Sequence, residues 1–307
     1  MGLSPRALGA LLLYPVAYAG ALARLKNAPG FEAGESLAVL LIFGVAFSVA
    51  AWLATRGIAP AGVPVRAPAR ELVAILVYLA LFAWLILGLG LSALKLAVPE
   101  GRTRDVAELL LKLATMVALP AWLFTRLGYA WRELLGLELP GGKGFGRALL
   151  VIGALLLALQ LVVGRGPQRI AALDEPAWLI AVFTPLALAW MTLEAGLTEE
   201  FLFRVLLQTR AAAWLRSEAA GIAAMALLFG LAHAPGYVLR GAHLMEGMSG
   251  APDPLTAAAY SIVVVSPIGL MFGVLWARTR SLLLVVLLHG WTDLVPNLAP
   301  FVLTWTR

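Results

Sequence analysis

Apolar residues fill ten stretches of the chain, at approximately 8–23, 36–55, 71–98, 107–125, 147–164, 177–197, 199–215, 219–233, 256–278 and 281–303, and polar positions gather between them. Most of these runs are long enough to cross a hydrocarbon core of about 30 Å as helices. Inside lipid each spanning segment must satisfy its own backbone hydrogen bonds, which favours helices. The pattern therefore predicts an all-α integral membrane protein, a polytopic bundle of about eight to ten transmembrane helices. The stretches between 199 and 233 are short and lack long polar links, so tilted or broken spans are expected there.

The links carry the expected breakers: Pro29-Gly30, the prolines from Pro60 to Pro68, Pro99-Glu100-Gly101 and Pro140-Gly141-Gly142. Composition agrees with the pattern. Hydrophobic residues make up 62% and charged residues 13% of the 307, with a mean hydropathy of +0.91, against about 25% charged in soluble domains. A single soluble core is excluded. The net charge of +6 is spread over the ends of apolar runs, not gathered into a patch, so it reads as headgroup anchoring and not as nucleic-acid binding.

Arg6, then Arg56, Arg66 and Arg70, and the link 126–146 with Arg126, Trp131, Arg132 and Lys143, favour a cytoplasmic amino terminus by the positive-inside rule. Ala17-Tyr18-Ala19 resembles a signal-peptidase site, but a polytopic chain can use its first span for insertion and keep it. Cysteine is absent, which removes thiolate nucleophiles and thiolate metal sites, and three histidines remain for acid–base or ligand chemistry.

Ionisable residues enter the spans themselves only in the second half. Before about residue 147 the spans are nearly free of them, with Lys95 and Lys112 expected to snorkel from segment ends. This divides the chain into 1–146, transmembrane helices without motif residues, and 147–307, a candidate catalytic core. A charged group at mid-helix costs about 2.5–3.5 kcal/mol on insertion scales, so each needs a partner or a wet cavity and is a functional candidate.

Three clusters stand out. In TEEFLFRVLL, Glu200 and Arg204 are four apart on one helical face and can neutralise each other. Glu199 is turned roughly 100° away. A carboxylate partly out of water and without an ion pair is suited to general-base work near neutrality. In LFGLAHAPG, Phe229 and His233 are four apart at the end of an apolar helix. In LLHGWTDLVPN, His289 and Asp293 share a face, where a carboxylate can orient an imidazole. Taken singly, each pair also has a structural reading. Taken together, three separate helices carry groups that lipid cannot solvate, and the economical packing turns them towards one intramembrane cavity.

Glu-Glu-x-x-x-Arg at 199–204, Phe-x-x-x-His at 229–233 and His-x-x-x-Asp at 289–293, in that order, resemble the signature of the CAAX-protease and bacteriocin-processing (CPBP) family of intramembrane endopeptidases, related to the Ras-converting prenyl protease of eukaryotes. The resemblance covers about 180–295. It implies hydrolysis of a peptide bond in a membrane-associated or C-terminal, CAAX-like peptide, prenylated or not, in the cell (inner) membrane of a prokaryote. On these positions it implies that Glu199 and His233 activate water, that Glu200 and Arg204 fix the helix and the field, and that His289 and Asp293 stabilise the oxyanion. Many relatives have Asn where this chain has Asp293. An ionised Asp cannot donate to an oxyanion, so Asp293 either stays protonated or orients His289.

The family has also been described as metal-dependent, which would make Glu199, His233 and His289 zinc ligands. Without a His-Glu-x-x-His helix, the expectation is a glutamate mechanism with no cofactor, zinc being the alternative. Other classes remain open. A proton- or ion-coupled transporter would use similar relays but predicts inverted repeats, and none is visible. A non-catalytic scaffold or immunity factor would keep the motifs for structure alone. Gly247-Met248-Ser249-Gly250 resembles a rhomboid serine motif, but Pro252 and Pro254 follow where a helix should begin. The segment 234–255, with His243 and Glu246, reads better as a loop over the cavity.

Overall fold

The computed structural model describes residues 2–60, 62–135, 143–240, 245, 248 and 253–306. Its helices are α1 (Pro5–Leu25), α2 (Ala33–Ala54), α3 (Pro68–Ala97), α4 (Arg102–Arg126), the short α5 (Trp131–Leu135), α6 (Lys143–Val162), the short α7 (Gly166–Ala171), α8 (Ala177–Leu215), α9 (Glu218–Arg240), α10 (Pro254–Val264), α11 (Ser266–Thr279) and α12 (Leu282–Thr306). No strand occurs among the described residues. Among the described residues eight of these helices are long and apolar enough to cross a membrane, and α10 with α11, bent by 46° at a short break, is either a broken ninth span or a re-entrant pair. The protein is thus an all-α polytopic membrane protein. Leu150, Val162 and Trp178 stand exposed, as a surface facing acyl chains allows.

The chain divides into two compact units, one formed by 1–53, 62–92 and 203–278, the other by 54–61, 93–202 and 279–307. Each draws residues from both sides of 146.

In the first unit α1 begins cleanly, with Ser4 accepting from the Ala7 N–H and Pro5 at the first helical position. Its face of Ala7, Tyr14, Tyr18, Ala21 and Leu25 recurs at helical spacing and is buried against α9 and α10. The break between α10 and α11, where Pro267 has no N–H to give, exposes polar groups inside an apolar unit. The tyrosines of α1 cover them: Tyr14 Oη lies 2.9 Å from Ser266 Oγ, and Tyr18 Oη donates to the carbonyl of Val263 (3.3 Å) as well as to that of Ser36 on α2 (2.7 Å). Arg210 is fully buried. Its Nε donates to Glu71 Oε2 at 3.1 Å, while Glu71 Oε1 accepts from the N–H groups of Arg66 and Ala67 at the start of α3. A buried guanidinium needs such a partner.

In the second unit α12 is the central element, packed against α6, α7 and the first part of α8. Lys112, expected to snorkel, sits in the middle of α4 and pairs with Glu194 of α8.

The two expected segments 177–197 and 199–215 are one helix. Thr198 does not break it because its hydroxyl turns back onto the carbonyls of Glu194 (2.7 Å) and Ala195 (3.2 Å) and is satisfied within the helix. At 39 residues and about 1.5 Å per residue, α8 is longer than the hydrocarbon is thick, so it must tilt strongly or project beyond it.

Candidate active site

Glu199 and Glu200 lie in a three-residue α-helical turn, Thr198–Glu200, between two wide π-helical stretches, Thr192–Leu197 and Phe201–Gln208. Such insertions re-aim side chains within a helix and are frequent at functional sites. Beyond them the side chains of Thr209 and Arg210 reach carbonyls five residues back, those of Arg204 and Val205.

Two glycines let α8 and α12 close on each other in the second unit. A Cβ at Gly196 would lie 2.5 Å from the Val286 carbonyl oxygen, and one at Gly290 would lie 2.4 Å from Thr192 Oγ1 and 2.8 Å from the Thr192 backbone. Only residues without a side chain permit that approach.

The approach sets His289 among three carboxylates. Its Nδ1 lies 2.8 Å from Glu200 Oε1, and both side chains are almost wholly buried. Its Nε2 faces Asp293 Oδ2 at 3.6 Å and Glu199 Oε2 at 3.8 Å, and these two carboxylates are part-exposed. An ionised carboxylate only accepts, so Nδ1 donates to Glu200. The ring is thereby fixed from behind, with its other nitrogen turned towards the two open carboxylates.

Four of the six expected site residues, Glu199, Glu200, His289 and Asp293, are therefore together in one unit. Arg204 and His233 belong to the other, where they form a second polar group. Arg204 is fully buried, its guanidinium 5.0 Å from the Phe229 ring centroid, and its Nη1 donates to Gln208 Oε1 at 3.3 Å. Gln208 in turn donates to the Gly273 carbonyl at 2.9 Å.

The Phe-x-x-x-His spacing carries more than a shared face. His233 Nδ1 lies 2.8 Å from the Phe229 carbonyl oxygen, and the two rings meet edge to face with centroids 4.8 Å apart. A carbonyl can only accept, so Nδ1 carries the proton and, in a neutral ring, Nε2 presents its lone pair.

Gln208 escaped the reading of the sequence, although its place four residues after Arg204 was the available signal. Among the described residues no group of three or more His, Asp or Glu side chains is arranged to hold a metal ion, so zinc supplies no step below. His243, Glu246, Gly247, Ser249 and Gly250 lie outside the described residues, and the serine-motif reading falls there with most of the expected loop, whereas residues 234–240 of that loop instead continue α9 as far as Arg240.

An all-α polytopic membrane protein with an imidazole held among carboxylates inside its spans has the chemical equipment of an intramembrane hydrolase. Residues 175–295 match the family model described as Rce1-like: Type II CAAX prenyl endopeptidase, which supports a CPBP-family intramembrane protease, the class that the three motifs resemble. No curated protein and no solved structure matches the chain.

Proposed function

We propose that this chain hydrolyses a peptide bond of a membrane-associated or C-terminal, CAAX-like peptide, with the catalytic core in 147–307. The observation that carries the reading is the environment of His289: Nδ1 held by Glu200, Nε2 turned to the part-exposed carboxylates of Glu199 and Asp293. In this reading Glu199 takes a proton from water as the water oxygen bonds to the scissile carbonyl carbon. By the resemblance of the motifs, His233 also takes part in activating water. The carbonyl electron pair moves onto oxygen, where a donor on His289 Nε2 stabilises it. Collapse breaks the C–N bond, and the proton on Glu199 passes to the leaving nitrogen. Asp293 sets the field and rotamer of His289, and Arg204, steadied by Gln208 and Phe229, fixes the adjoining helix.

The partners are the bilayer and a membrane peptide, in the cell (inner) membrane of a prokaryote with the amino terminus cytoplasmic. The test uses the full chain in lipid nanodiscs with paired prenylated and unprenylated membrane peptides. Cleavage by the wild type that falls roughly 100-fold or more in Glu199→Gln and in His233→Ala supports the mechanism, and the peptide pair reports whether the lipid is recognised. Undiminished cleavage by those variants, or solute flux without hydrolysis, overturns it.

A further inference from the structure

Helix α12 carries a proline directly after its motif. Pro296 has no N–H for the Thr292 carbonyl, so the turn that follows Asp293 lacks one backbone hydrogen bond. A motif next to a weakened turn needs another source of rigidity.

Trp291, midway between His289 and Asp293, is gripped at both ends by α6. Its Nε1 donates to the Gly153 carbonyl at 2.9 Å, and its own carbonyl accepts from Gln160 Nε2 at 3.3 Å. Gly153 and Gln160 are seven residues apart, about two turns, and so share one face of α6. A residue held by both its side chain and its main chain cannot turn about the helix axis without breaking one bond, and His289 and Asp293 turn with it. Gln160 is only 9% exposed, and its Oε1 is buried without a partner. An apolar side chain of the same volume would avoid that desolvation, so the amide is poorly explained by packing alone.

We infer that Gln160 is a positioning residue, which with Trp291 and Gly153 clamps α6 to α12 and fixes the rotation of His289 and Asp293. The clamp is a matter of geometry, and its effect on catalysis rests on the proposed protease reading.

The chain has three histidines, so the full protein labelled with 15N-histidine in nanodiscs gives three sets of ring signals, assigned with His243→Gln and His289→Gln. In Gln160→Met the His289 ring signals shift and those of His233 do not. Trp291→Phe keeps the main-chain carbonyl, loses only the Gly153 arm and gives the same selective shift, which provides a second reading should Gln160→Met fail to fold. On a cleaved peptide, kcat falls about tenfold or more with KM unchanged, the mark of a misplaced reacting group. An unmoved His289 signal in folded Gln160→Met overturns the clamp, whatever happens to cleavage. A selective shift in a protein that cleaves no peptide upholds the clamp and removes the protease reading instead.

Discussion

Complete burial of Glu200, with its carboxylate 2.8 Å from His289 Nδ1, makes it the anchor of the imidazole. Glu200→Ala leaves a buried ring nitrogen without its acceptor, which costs about 1–3 kcal/mol. A lowered unfolding midpoint, together with a loss of cleavage of roughly 100-fold, is the expected result. Glu199→Gln, at a part-exposed position 3.8 Å from the other nitrogen, separates the two roles: cleavage is lost while the midpoint moves far less. A second residue gives a pH dependence outside the membrane. Asp253 caps α10, and its carboxyl is held below the ordinary carboxylate value first by the Thr256 hydroxyl and then by the Thr256 N–H, with lesser help from Arg24 and the Leu255 N–H. A group whose folded value is depressed adds stability above the unfolded value and loses it as pH falls through the folded one. Hydrogen exchange of the first turn of α10 therefore quickens in acid in the wild type, and Asp253→Asn, which keeps a capping oxygen, flattens that dependence.

At the scale of the helices, the contact of α8 with α12 depends on glycine. In Gly290→Ala the new Cβ meets Thr192 backbone atoms at 2.8 Å, which cannot rotate away, so the helices must part and draw His289 from Glu200. A loss of about 1–3 kcal/mol and of most cleavage is expected in thermal unfolding and peptide assays. Gly146→Ala on α6, where no atom lies within 4 Å of the new Cβ, is tolerated and serves as the control. The spans were legible in the sequence because hydropathy alone decides them, and the closeness of His289 and Asp293 was legible because a spacing of four places residues on one face. What joins the helices was not. Lys112 was read as snorkelling from a segment end because its partner, Glu194, lies 82 residues away in the chain, and the pairing of Arg210 with Glu71, 139 residues away, left no local signal. The closeness of Gly196 and Gly290 likewise arises only when two distant spans pack. The continuity of α8 was hidden for a local reason, since nothing in the letters shows that the Thr198 hydroxyl returns to its own helix.

For the molecule as a whole, the membrane fixes which ends of the spans share a side. Arg6, Arg56, Arg66 and Arg70 flank the amino terminus and the link after α2, whereas the link between α1 and α2 carries only Lys26 and Arg24 close to it. A polybasic flank is held back on the cytoplasmic side during insertion, so the proposed orientation puts the amino terminus and the link 55–67 in the cytoplasm and the link 26–32 outside. The absence of cysteine makes this testable without background. Ala59→Cys in intact cells resists a membrane-impermeant maleimide until the membrane is opened, and Ala28→Cys reacts at once. The reverse pattern inverts the orientation and with it the side from which a peptide reaches Glu199. Reaction of both residues in intact cells means that α2 does not span. Since each further span alternates sides, the same reagent at successive links decides whether α10 and α11 together make one crossing or a loop that returns to the side it entered from.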